Sequence, residues 1–183
     1  KDEWVALDCE TTGLDTRTDD IIAIGAVRIC GNRVMTSERL ELLVRPDKQR
    51  ISAEAVRVHR LREQDVAQGV SADEAMVQLM RFIGSRPLVG YYLEFDVAMI
   101  NRVLFPILGM GLPQEKIEVS GLYYDYKYQQ LPSSARDHPA IDLRFDTLMR
   151  DLDLPLWPAH DALNDAVMAA LAFVKLRNLG LRS

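Results

Sequence analysis

Three strand-like runs crowd the first 44 residues, and that succession restricts the fold more than any other feature of the chain. Residues 4–8 (Trp-Val-Ala-Leu-Asp) form an apolar run ending in an acid, and Thr11-Thr12-Gly13 supplies turn chemistry directly after it. Residues 21–29 are β-branched and apolar, Gly31-Asn32 is a hairpin signal, and a strand-like pattern resumes over residues 33–44. Three strands in antiparallel succession are expected.

Beyond Pro46 the pattern becomes helical. Residues 52–69 have the look of short helical turns. Ser71 with Glu74 makes a capping box ahead of an apolar stripe at Ala75, Met76, Leu79, Met80 and Ile83. Pro87-Leu88-Val89-Gly90 reads as a fourth core strand and residues 95–108 as a second helix, closed by Gly109, Gly111 and Pro113. The tyrosine-rich stretch 115–142 is expected to hold a strand followed by a loop. A short helix over residues 142–151, broken by Pro155 and Pro158, precedes a long amphipathic helix over 161–178 that stops near Gly180. Antiparallel strands followed by alternating helices and strands imply an α/β mixed sheet flanked by helices, of the ribonuclease-H-like kind.

With 183 residues, 48% of them hydrophobic, the chain suits one domain spanning 1–183. No stretch approaches the roughly 20 apolar residues that span a bilayer, and no secretion signal opens the chain, so a soluble, cytoplasmic protein without a membrane partner is expected. Cys9 and Cys30 lack metal-site spacing and are expected to be reduced and buried. Because strand-like sequence is reached by Trp4, flanking segments are expected outside the chain. The net charge of −5 argues against a polyanionic partner unless bound divalent cations reverse the sign locally.

The acids supply candidate chemistry. Asp8 and Glu10 stand two apart at a strand end, so both carboxylates can project from one face, an arrangement that calls for a cation or a proton between them. The competing reading is two solvated acids. Asp96 falls at a helix start, where it can act as a cap, and a lone His160 is ordinarily structural. Asp165 sits among Ala162, Ala166, Val167, Ala169 and Ala170, on a small-residue face that would draw it toward the core, while Asp161 is the better N-cap candidate.

Their order and local sequence change the odds. Asp8-x-Glu10-Thr11-Thr12-Gly13-Leu14, the Ile-Gly-Ala-Val run ending at Val27, Phe95-Asp96, and His160-Asp161-Ala162-Leu163-Asn164-Asp165 together resemble the three motifs of the DEDDh 3′→5′ exonucleases. That family includes the proofreading epsilon subunit of bacterial DNA polymerase III, RNase T and oligoribonuclease. The resemblance runs from Val5 to about Leu176. It implies that Asp8, Glu10, Asp96 and Asp165 hold two Mg²⁺ or Mn²⁺ ions and that His160 is the general base. It further implies that Thr11, Thr12, His59 and Phe95 contact a single-stranded 3′ end, and that a polymerase or another partner is engaged through segments outside the chain. Oxygen ligands suit such hard cations, and a histidine that titrates near neutrality suits proton transfer.

One departure stands out: the family's second motif commonly carries His-Asn where this chain has Tyr91-Tyr92. Tyr92 could replace the amide's hydrogen bonds, stack on a base, or mark altered activity. Tyr123, Tyr124, Tyr126 and Tyr128 are expected to pack on a strand face rather than stack on bases, and the clamp-like Gln78–Phe82 stretch is set aside because it lies within a helix. Alternatives to the exonuclease are a binding module on the same fold and a two-carboxylate glycosidase. The glycosidase would need its acids to face each other across a cleft.

Overall fold

The computed structural model describes residues 2–46, 63–158 and 160–180. A five-stranded sheet organises them, with strands β1 (Glu3–Thr11), β2 (Ile21–Cys30), β3 (Arg33–Leu43), β4 (Leu88–Gly90) and β5 (Lys116–Glu118). Their order across the sheet is β3-β2-β1-β4-β5. β1 pairs antiparallel with β2, and β2 with β3, whereas β1–β4 and β4–β5 are parallel. The mixed sheet inferred from the sequence is present, and β1 lies at its centre.

Strand alternation divides the core in two. Val5, Leu7 and Cys9 face a cluster with Met76 and Leu79 of α2 (Ala72–Ile83) and with Met99 and Ile100 of α3 (Leu93–Leu108). Ala6, Val27 and Ile29 face the opposite cluster. It contains Val119 and Tyr123 of α4 (Val119–Gln130), Leu148 and Met149 of α5 (Phe145–Asp151), and Met168 and Phe173 of α6 (Ala162–Gly180). Residues buried on both sides of β2 explain its near-continuous apolar run. A short helix, α1 (Glu63–Ala67), precedes α2. The remainder of the helical turns expected over 52–69 lies outside the described residues.

Ser71 caps α2 as read, the Glu74 amide donating to Ser71 Oγ at 3.2 Å, while the Glu74 carboxylate accepts from Gln78 Nε2 at 3.3 Å. Asp161 likewise caps α6, accepting from the Asn164 amide at 2.8 Å. The tyrosine-rich stretch corrects the sequence reading. Its strand is confined to Lys116–Glu118, and Val119–Gln130 is helical. Val119, Leu122, Tyr123 and Tyr126 repeat at helical spacing and pack into the second core, so tertiary burial overrides the β-preference of tyrosine. Cys9 is buried but Cys30, at the end of β2, is exposed, contrary to expectation. No described helix is long and apolar enough to cross a membrane.

Candidate active site

The carboxylates converge through strand direction and helix docking. On β1, Asp8 and Glu10 project toward the α6 face, with Asp8 half-buried and Glu10 only 5% exposed. A register shift between Glu10 and Thr11 ends the regular pairing with β2 at this point, in keeping with the use of bulges to re-aim side chains. Asp165 comes from the first turn of α6. One oxygen from each of Asp8, Glu10 and Asp165 can be chosen such that all lie within 4.8 Å of one another.

What permits this approach is a residue not singled out in the sequence. Gly25 of β2 is paired opposite Asp8, and a Cβ built on it would lie 2.3 Å from the Ala162 carbonyl carbon and 2.3 Å from the Leu163 nitrogen. The start of α6 therefore rests directly on the β2 backbone. Within the Ile-Gly-Ala-Val run the signal was a glycine inside an otherwise β-branched strand, which marks close backbone approach.

Asp96 arrives from the other layer. Val5 donates its amide to Pro87 O at 3.0 Å, and the amides two and four residues further along β1 point the same way. β4 ends at Gly90, so the Cys9 amide projects past it and instead donates to Asp96 Oδ1 at 2.8 Å. Asp96 lies in the first turn of α3 without being its N-cap, a position held by Tyr92. Burial pushes the Asp96 carboxyl up to about 8 despite the opposing Cys9 amide. Enclosure, then the charges of Asp96, Asp165 and Glu10, holds Asp8 well above the usual carboxylate range. Burial, then the charges of Asp96, Asp8 and Glu10, raises the Cys9 thiol, leaving it a packing group rather than a nucleophile.

His160 is exposed just ahead of α6 with a left-handed backbone (φ 70°), and its amide donates to Asp165 Oδ2 at 3.1 Å. A cavity of about 390 Å³ beside Glu10 is bordered by His160, Asp161, Glu41 and Leu43. A wider cleft of about 700 Å³, edged by Arg17, Arg45 and Arg102, holds none of the four acids. Thr11 and Thr12 are buried, and their hydroxyls donate within the β1–β2 loop, to Gly13 O at 2.6 Å and Asp19 Oδ1 at 3.1 Å. Phe95 is half-buried, and His59 lies outside the described residues. Tyr91 donates from its hydroxyl to Leu143 O at 2.8 Å, and Tyr92 is exposed. Two acids on one strand and a third beside them do not face one another across a cleft, contrary to what a glycosidase requires.

The strand order and the acids at the end of the central strand define the ribonuclease-H-like class of folds. Within it the chain belongs to the exonuclease family, whose model matches residues 5–173. It is 25% identical over 175 residues to the PolC-type DNA polymerase III of Thermotoga maritima, covering 94% of this chain and 12% of that protein. It is 28% identical over 174 residues to a DNA polymerase III subunit epsilon-like protein of Rhodobacter capsulatus, covering 94% and 23% respectively. The chain thus spans only a small part of these relatives. Exonuclease X in complex with 5′ overhanging duplex DNA has the same fold, with a TM-score of 0.71 and 23% identity over 96% of this chain and 92% of that one.

Proposed function

We propose that the protein is a metal-dependent 3′→5′ exonuclease that shortens single-stranded DNA or RNA and releases nucleoside monophosphates. The convergence of Asp8, Glu10 and Asp165 carries the proposal, because three carboxylates of ligand spacing disfavour one another unless a cation joins them. The donor set, all hard oxygens, fits Mg²⁺ or Mn²⁺. Asp8, Glu10, Asp165 and, from the opposite layer, Asp96 are the residues to hold two such ions. When bound, the ions stabilise the charge on the attacking and leaving oxygens of a phosphodiester.

The chain's own groups supply the remainder. His160 stands exposed at the rim, with its amide tied to Asp165, and serves as general base toward the hydrolytic water. Thr11 and Thr12, with hydroxyls directed into their own loop, shape the floor for the terminal nucleotide, and Phe95 and His59 complete the contacts. A polymerase partner, engaged through segments outside these residues, accords with the names of the relatives.

The test is digestion of a 5′-labelled single-stranded oligonucleotide with Mg²⁺ or Mn²⁺ by wild type, Asp8→Ala and His160→Ala. A ladder shortening from the 3′ end and lost in both variants is expected. Binding without degradation by the wild type under either metal would leave a non-catalytic module.

A further inference from the structure

Tyr92 combines three properties that structural economy would not bring together. It is a bulky residue in the left-handed region (φ 55°, ψ 38°), where the Cβ of an ordinary L-residue crowds the backbone. It is 69% exposed, so burial of its ring does not offset that strain. It is also held there actively: Glu118, at the end of β5, accepts from the Tyr92 amide at 2.9 Å and from the Leu93 amide at 2.8 Å. Those two amides open α3, which lacks a capping bond from its own N-cap side chain. The same carboxylate accepts from the Ser120 hydroxyl at 2.8 Å, which anchors it to the start of α4.

The consequence is a fixed aromatic surface beside the acids. The Tyr92 ring stacks on Phe95 with centroids 6.4 Å apart and planes 12° from parallel, and Phe95 is anchored in the first core next to Asp96. Parallel pairing of Ala6 with Val89 places the chain leaving β4 level with Asp8 on β1. An exposed ring, nearly parallel to a half-buried one that packs on the core and set on a strained but doubly bonded backbone, is a platform to which a flat aromatic ligand adds as a further layer.

Building on the exonuclease function proposed above, the geometry points to Tyr92 as a base-stacking residue that grips an unpaired nucleobase near the 3′ end. Stacking accepts every base because each has a π-face, so this contact selects single-stranded ends without selecting sequence. Glu118 is the positioning residue that keeps the ring in place.

Asparagine tolerates the left-handed region but carries no ring, so Tyr92→Asn separates stability from recognition. Binding of a short 5′-fluorescein-labelled oligothymidylate is measured by anisotropy in Ca²⁺ for wild type, Tyr92→Asn and Tyr92→Phe, with a matching strand whose 3′-terminal nucleotides are abasic. The melting temperature of each variant is followed alongside. Tyr92→Asn is expected to bind the intact strand roughly five- to hundredfold more weakly while melting no lower than wild type, and Tyr92→Phe to bind like wild type. On the abasic strand the difference between wild type and Tyr92→Asn should vanish, which a purely structural role for the ring would not produce. Equal affinity of Tyr92→Asn and wild type for the intact strand would overturn the platform while leaving exonuclease activity standing. A wild type that neither binds nor shortens any single strand would remove both.

Discussion

Burial and the charges of Asp96, Asp165 and Glu10 all oppose the ionisation of Asp8 and load it electrostatically. Without metal that load is a liability. Asp8→Asn is therefore expected to stabilise the metal-free protein by about 1 kcal/mol, or roughly 2–4 °C in melting temperature for a chain of this size, and to abolish the further rise caused by Mn²⁺. A melting curve in chelator and in Mn²⁺ reads both effects; a destabilised metal-free variant would contradict the repulsion. Gly25→Ala meets the opposite constraint. The added methyl strikes the backbone at Ala162 and Leu163, which can yield only by displacing α6. A loss of about 1–3 kcal/mol in urea denaturation is expected, with Mn²⁺ affinity by calorimetry falling because Asp165 moves with the helix.

Among elements, the junction of β5, α3 and α4 is held by one carboxylate. Glu118→Ala removes the acceptor for the Tyr92, Leu93 and Ser120 groups and should cost about 1–2 kcal/mol, as the loss of a helix cap does. Hydrogen exchange is the decisive measurement, with faster exchange expected at the first amides of α3 while α6 stays protected. Glu118→Gln, which keeps one acceptor oxygen, should fall between. The helices with their own caps, α2 behind Ser71 and α6 behind Asp161, were legible in the sequence because the signal is local. α3 and α4 were harder. The cap of α3 is supplied from residue 118, and the tyrosines of α4 carry a strand preference that only burial against the second core overrules. Asp96 shows the same limit, since a carboxylate at a helix start looks alike whether it caps the helix or reaches the neighbouring strand.

At the scale of the whole molecule, the site sets a pH dependence. The folded, metal-free protein keeps a proton on Asp96 up to about 8, and holds one on Asp8 well above the ordinary range, whereas the unfolded chain gives these up near the usual 3.8. A raised folded-state pKa contributes stability that is complete below the unfolded value and is lost as pH rises through the folded one. In chelator, the urea midpoint should therefore fall between about pH 5 and about pH 8, and saturating Mg²⁺ should flatten that decline because the cation takes the deprotonated ligands. A decline of equal slope with and without Mg²⁺ would assign it to other groups. The mixed sheet with its flanking helices was foreshadowed by periodicity, and the convergence of Asp8, Glu10 and Asp165 by motif order. The contacts that aim those acids, from Gly25 and from the Cys9 amide, depend on which strands become neighbours and leave little mark on a linear reading.

The acids come from β1, α3 and α6, the first strand, a middle helix and the last helix of the described chain. During synthesis the ribosome releases Asp8 and Glu10 well before Asp165, and pairing partners so distant in sequence close slowly. The ligand set proposed above therefore stays incomplete until α6 docks on Gly25, and Mn²⁺ uptake in a refolding experiment is expected no earlier than that docking.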